Sequence, residues 1–240
     1  MNANDSNTSS RAYRSLFKIG NWAAWIVVVL TLVEIMAFSF FPQPATAQEW
    51  FILYQEKPFL GLVDFWGLEA PMYLMFVLTF LALYVALRDT QPGLMITATA
   101  FVLLGAAIFL STNNPFTMLT LSHRHAAATT DGERSLFLAA GEAVLANTNQ
   151  RAVGGFNPGL FLVSSAGIIV STVMLRADSF AGTTAYVGIF AHILALGDYL
   201  RQALTTSPLI ALAVIIPGAI LLMIWFGLVG KRLRILGSNR

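Results

Sequence analysis

The chain has 240 residues, 57% hydrophobic and 11% charged, where ordinary globular domains have about 45–50% and about 25%. Its mean hydropathy is +0.70, so too few charges remain to cover a water-facing surface, and the composition is that of an integral membrane protein. Fourteen Lys and Arg against twelve Asp and Glu leave a net charge of only +2, which excludes a nucleic-acid partner; the absence of cysteine excludes disulfides, thiolate catalysis and cysteine-held metal centres.

A helix needs about 20 apolar residues to cross a bilayer, because each residue rises about 1.5 Å through a hydrocarbon core about 30 Å thick. Six segments meet this length, 22–41, 65–87, 93–111, 157–175, 180–200 and 209–230. Runs of this kind satisfy their backbone hydrogen bonds as helices, whereas barrel strands alternate over about ten residues. The expected fold is all-α, with a six-helix transmembrane domain over 19–230, an N-terminal tail 1–18 and a basic C-terminal tail 231–240. Two partly helical connections, 42–64 and 112–156, are expected as a cap on the outer side.

Residues 1–10, rich in Asn, Ser and Thr, read as a disordered tail. Arg11, Arg14 and Lys18 precede the first apolar run and Ala45-Thr46-Ala47 resembles a signal-peptide cleavage site, but the run is longer than an h-region and Glu34 interrupts it, so it reads as a span. Thr46 and Glu49 have capping-box spacing ahead of Trp50, Phe51, Leu53 and Tyr54, which predicts a short interfacial helix stopped by Pro58. The connections 88–92 and 176–179 are short enough for tight antiparallel hairpins. Between them, Asn114-Pro115 predicts a helix start, with Asn as cap and Pro at the first helical position. Thr130 and Glu133 repeat the capping-box spacing before an Ala-rich run at 135–146, and Gly154-Gly155 closes the connection. In the last span Pro217-Gly218 predicts a kink or a transporter-like break.

Orientation follows from the basic residues flanking the spans. With the N-terminus in the cytoplasm nine Lys and Arg fall inside and five outside, so both termini are expected in the cytoplasm of a prokaryotic inner membrane. Small residues Thr184, Gly188, Ala191 and Ala195 in the fifth span, and Gly167 and Ser171 in the fourth, have the spacing of close helix contact. They serve either a contact between these two spans or a seam with a membrane-protein partner or a second copy.

Ionisable residues within spans are costly and mark places where polar chemistry can sit. Here they gather toward the outer side: Glu34 in the first span, Asp64 and Glu69 at the start of the second, His192 and Asp198 in the fifth, with His123, His125 and Glu142 from the cap. Imidazoles and carboxylates together can hold a zinc-like divalent metal and activate water, which makes Glu69, His123, His125 and His192 candidate ligands. Against this, His123 and His125 point about 200° apart on a helix and no HExxH pattern is present. Several of these residues also have a structural reading: His192 as an interhelical hydrogen-bonding group, Glu34 as a protonated or paired carboxyl, Asp64 and Glu69 as first-turn acids favoured by the helix dipole, and His123 and His125 as part of a solvated surface.

The stretches Ala126-Ala127-Ala128-Thr129-Thr130, Ala139-Ala140-Gly141-Glu142-Ala143, Gly167-Ile168-Ile169-Val170-Ser171-Thr172-Val173-Met174-Leu175-Arg176 and Thr184-Ala185-Tyr186-Val187-Gly188-Ile189 resemble the prokaryotic multi-pass membrane family catalogued as domain of unknown function 4386, over about residues 120–200. The resemblance implies a membrane protein of this size and span number, and no reaction or catalytic residues. This chain departs from the family pattern after Gly188, where Ala191-His192 stands in place of an Asn-rich segment. The sequence thus points to a non-enzymatic membrane component, an accessory or assembly factor or a binder of a small lipophilic ligand. The alternatives are a membrane-embedded metal-dependent hydrolase with an outer-face site, and a transporter or channel.

Overall fold

The computed structural model describes residues 13–41, 43–148, 157–204 and 207–238, and among these the regular structure is entirely helical. The long elements are α1 (Arg14–Phe40), α4 (Glu69–Leu87), α5 (Pro92–Thr112), α8 (Pro158–Met174), α9 (Gly182–Leu204) and α10 (Pro208–Ser238). The small ones are α2 (Ala47–Glu56), α3 (Pro58–Leu62), α6 (Pro115–Ala127) and α7 (Asp131–Asn147). Four stretches are long and apolar enough to cross a membrane: Arg14–Ala37, Pro58–Leu87, Pro92–Ala127 and Leu209–Ser238. The helix α8 is apolar but shorter, and α9 interrupts its apolar run with His192, Asp198 and Arg201.

Three local features add detail to the expected layout. The first helix starts at Arg14 and the last continues to Ser238, so basic residues expected in tails are helical. The short helix α2 ends at Glu56, ahead of Pro58 as expected, and Pro58 then begins a further helix: it occupies the first turn of α3, where its missing N–H costs nothing, and the chain passes through a π-turn at Val63–Gly67 into α4. Pro217 lies inside α10, which runs through it as one helix. Residues 1–10 and Gly154-Gly155 lie outside the described residues.

The long helices close a ring in the order α1, α4, α5, α8, α9, α10 and back to α1. Their facing residues fix the directions. Thr31 meets Met72 and Gly20 backs onto Ala82, which makes α1 and α4 antiparallel; Gly167 backs onto His192 and Gly188 onto Ser171, which does the same for α8 and α9. At both glycine positions of this second pair the fit leaves no room for a side chain. A Cβ at Gly167 would collide with the His192 ring, and one at Gly188 with Ser171 Oγ and the Trp225 indole. At Gly167, Ser171 and Gly188 the small residues therefore serve close approach within the chain.

Aromatic rings fill the space between the helices. Tyr73 stacks on Phe109 at 4.1 Å between centroids, Phe76 on Phe226 at 5.5 Å, and Trp225 meets Phe226 edge-on at 4.9 Å. The outward faces of α1 and α10 are apolar and exposed, as at Trp22, Val29, Met36, Leu209, Leu212 and Ile216. In water such continuous faces would be a liability, whereas lipid solvates them.

At one end of the ring α2, α3, α6 and α7 build a cap around a second core of Trp50, Phe51, Tyr54, Phe65, Met118 and Leu145. Both capping boxes form: Thr46 Oγ1 accepts from the Glu49 N–H at 3.2 Å, and Thr130 Oγ1 from the Glu133 N–H at 3.2 Å. In the second box the Thr129 and Thr130 backbone N–H groups hold the Glu133 carboxyl below the ordinary glutamate value. Its contribution to helix α7 is therefore complete above that ordinary value and is lost as pH falls through the lower folded one. At the other end Arg88 Nη1 donates to the Tyr13 hydroxyl at 3.4 Å, tying the end of α4 to the start of α1.

Gly188→Leu should lower the thermal unfolding midpoint in detergent, at a cost of about 1–3 kcal/mol for overpacking. Gly197→Ala on the same helix, where a Cβ meets nothing within 4 Å, should leave the midpoint unchanged or raise it slightly. Tryptophan fluorescence on heating reads both, and an unchanged midpoint for Gly188→Leu contradicts the close packing of α8, α9 and α10.

Candidate functional site

The polar side chains expected in a single cluster divide among three places. The first lies between the helices at the cap end. Glu34 on α1, Glu69 at the start of α4 and Tyr73 about one turn along α4 lie within electrostatic reach of one another. The buried Tyr73 hydroxyl donates to Oδ1 of Asn157 at 3.2 Å and lies 3.0 Å from Asn157 Nδ2. Asn157 Oδ1 also accepts from the Leu160 N–H at 2.9 Å, so one side chain caps α8 and links it to α4.

Helix α9 brings Asp198, Tyr199 and Arg201 to the same end. Arg201 Nε donates to Asp198 Oδ1 at 2.6 Å, and the two side chains keep only 13% and 18% exposure, so the pair is held away from water. A poorly hydrated ion pair needs good geometry to offset desolvation, which this short contact provides. Asn157, Asp198 and Tyr199 make the polar wall of a cavity of about 300 Å³, completed by apolar residues of α8, α9 and α10 such as Leu160, Leu194 and Leu222. Gly218 leaves its share of the wall without a side chain; a Cβ there would meet only Leu194, at 3.4 Å. The volume and the mixture of apolar walls with a few polar groups are those of a small-ligand pocket.

The second place is the cap. Glu142 Oε1 accepts the Ala47 N–H at 2.8 Å, fastening α7 to the start of α2. His125 lies against the Phe51 ring at 5.3 Å, while His123, on the same helix, is exposed. Asp64, in the π-turn, accepts from Gln43 Nε2 through its carboxylate at 3.4 Å and its carbonyl at 3.0 Å. Among the described residues it contributes the one ionisable side chain to the lining of a second cavity, about 480 Å³ and otherwise apolar, walled by Phe40, Phe41, Leu53 and Leu60. Burial, and after it the Asp64 carboxylate, push the Tyr54 hydroxyl above the ordinary tyrosine value.

The third place is the middle of the ring, where His192 stands apart from the other candidates. It is buried against Gly167 and meets Trp225 edge-on at 4.9 Å, and neither ring nitrogen has a hydrogen-bond partner among the described residues. Expected as an interhelical hydrogen-bonding group, it acts here as a packed ring. Among the described residues no three His, Asp or Glu side chains are placed to hold a metal ion. His123 and His125 stay in the cap, His192 in the bundle and Glu69 at the top of α4, so the four candidate ligands do not meet.

Sequence reasoning passed over Tyr73 and Asn157 and counted Arg201 only as a topological charge. Two signals were present. Asn157-Pro158 repeats the Asn-Pro pattern read correctly at Asn114-Pro115, and Asp198 and Arg201 stand at i,i+3 on one helix. Tyr73 carried none, since its role depends on α8 arriving beside α4.

Tyr73→Phe should cost about 1–3 kcal/mol by leaving the Asn157 amide short of a partner, and Asn157→Ala should cost more by removing the α8 cap as well. Thermal midpoints in detergent check the order; Asn157→Ala at or above Tyr73→Phe would contradict the double role. Neither a family model nor a curated protein nor a solved structure matches the chain.

Proposed function

We propose that the chain is a multi-pass membrane protein that binds a small amphipathic molecule in the cavity between α8, α9 and α10. The observation that carries this reading is the presence of Asn157, Asp198 and Tyr199 in the lining of an otherwise apolar pocket of about 300 Å³. A ligand with an apolar body and a polar end meets both demands of such a site: the body replaces lipid against Leu160, Leu194 and Leu222, and the polar end meets hydrogen-bonding groups already held by their neighbours.

In this reading α1, α4, α5, α8, α9 and α10 are six spans, both termini are cytoplasmic and the cap is extracytoplasmic. The nine-to-five distribution of Lys and Arg supports the orientation, and the apolar exposed faces of α1 and α10 support lipid contact. Membership of the family catalogued as domain of unknown function 4386 belongs to the same proposal and rests on the four sequence stretches given above. The role is binding rather than catalysis, because the polar groups at the cavity are paired with one another in ways that hold shape, as Asn157 with Tyr73 and Asp198 with Arg201.

The test is to purify the protein from its own membrane in mild detergent, extract bound small molecules and identify them by mass. Wild type should carry one compound near stoichiometric amount, and Gly218→Leu, which fills the cavity, should retain roughly a tenth or less if the lost contacts are worth about 1.4 kcal/mol or more. Equal recovery from both proteins, or a bare wild-type chain, contradicts the proposal. A co-purifying subunit in place of a small molecule would turn the reading to an accessory or assembly component.

A further inference from the structure

A different cavity, of about 410 Å³, lies at the opposite end of the ring from the cap, between the start of α9 and the last turns of α10. Its wall combines two chemistries. Lys231 and Arg232 supply positive charge and Ser179 and Thr184 supply hydroxyls, while Phe180 and Leu228 are apolar. Asp178 also borders it, as an exposed carboxylate. Neither Lys231 nor Arg232 forms an ion pair with a carboxylate among the described residues, and Arg232 Nε is buried without a hydrogen-bond partner there.

A buried guanidinium N–H lacking an acceptor is costly to leave so, and an anionic oxygen is the group that satisfies it best. Topology alone needs basic residues near a span end; it needs neither a cavity beside them nor a donor held inside the protein. The apolar part of the wall then selects among anions. A free phosphate has no use for Phe180 and Leu228, whereas a phospholipid places its phosphate among the donors and an acyl chain along those side chains.

We infer that this cavity is a binding site for the headgroup of an anionic phospholipid of the leaflet at the basic end of the ring, held by Arg232, Lys231 and the hydroxyls of Ser179 and Thr184. The site shares no residue with the pocket between α8, α9 and α10, and it stands or falls independently of the ligand proposed there. It does require that this end of the ring lies at a membrane surface.

Native mass spectrometry of the delipidated full-length protein, titrated with phosphatidylglycerol and with phosphatidylcholine of the same acyl chains, tests the assignment. One phosphatidylglycerol should be retained per chain with a preference of about tenfold or more, the order that two basic side chains supply at a membrane surface. The pair of substitutions Lys231→Gln and Arg232→Gln should reduce that preference to about twofold or less, and Arg234→Gln, outside the cavity, should leave it intact. Leu228→Trp, which fills the apolar part without changing charge, should also lose the lipid and guards against misfolding of the double variant. Equal retention of the two lipids by wild type, or an undiminished preference in the double variant, overturns the inference. Full displacement of phosphatidylglycerol by millimolar inorganic phosphate would show a phosphate site and overturns the lipid assignment as well.

Discussion

The outward faces of α1 and α10 have almost nothing to offer water, and this shortage governs the rest of the structure. Wherever side chains cannot hydrogen-bond to solvent, the backbone must satisfy itself, and a continuous helix does so within one segment. Helices then associate without a hydrophobic driving force if lipid surrounds them, so cohesion comes from close contact and from polar pairs. Both devices are present. Gly167 and Gly188 let α8, α9 and α10 meet with a ring or an indole pressed directly on backbone, and Tyr73 with Asn157 links α4 to α8.

The same constraint explains where polarity gathers. At the basic end, Lys and Arg side chains lie near the start of α1 (Arg14, Lys18), just past the end of α4 (Arg88) and a turn or more before the end of α10 (Lys231, Arg232, Arg234), where long side chains reach out of an apolar layer. At the cap end polar groups lie between helices and are held by neighbours: Asp198 by Arg201, Asn157 by Tyr73 and by the first turn of α8. A pocket whose polar groups are already oriented loses little freedom when a ligand arrives, and this pre-organisation links the packing to the proposed binding role. His192 shows the opposite case, a titratable ring enclosed by Gly167 and Trp225 with no room for a ligand between them.

Local signals were the legible part of the sequence. The capping boxes at Thr46 and Thr130 and the Asn114-Pro115 start formed as read, because a cap depends on residues three or fewer apart. The apolar runs were legible as helices for the same reason, although four stretches rather than six reach the length and hydropathy of a span among the described residues. What could not be read was convergence. Eight polar residues that share one end in a linear topology were expected to share one site, yet α6 and α7 fold against α2, which ties His125 and Glu142 into contacts within the cap. Pro58 stops α2 as read, but its second role was not legible: a proline that ends one helix is also well suited to begin the next, and α3 with the π-turn into α4 depends on the chain that follows.

The absence of native cysteine gives a clean background for the most direct test of the account, its placement of cap and basic end on opposite sides of a membrane. Single cysteines at Leu136 on the exposed face of α7 and at Asp178 between α8 and α9 would be challenged in intact cells with a membrane-impermeant maleimide, then again after permeabilisation. The account predicts that Leu136→Cys reacts in intact cells and Asp178→Cys only after permeabilisation. Reaction of both in intact cells, or the reverse order, would contradict it.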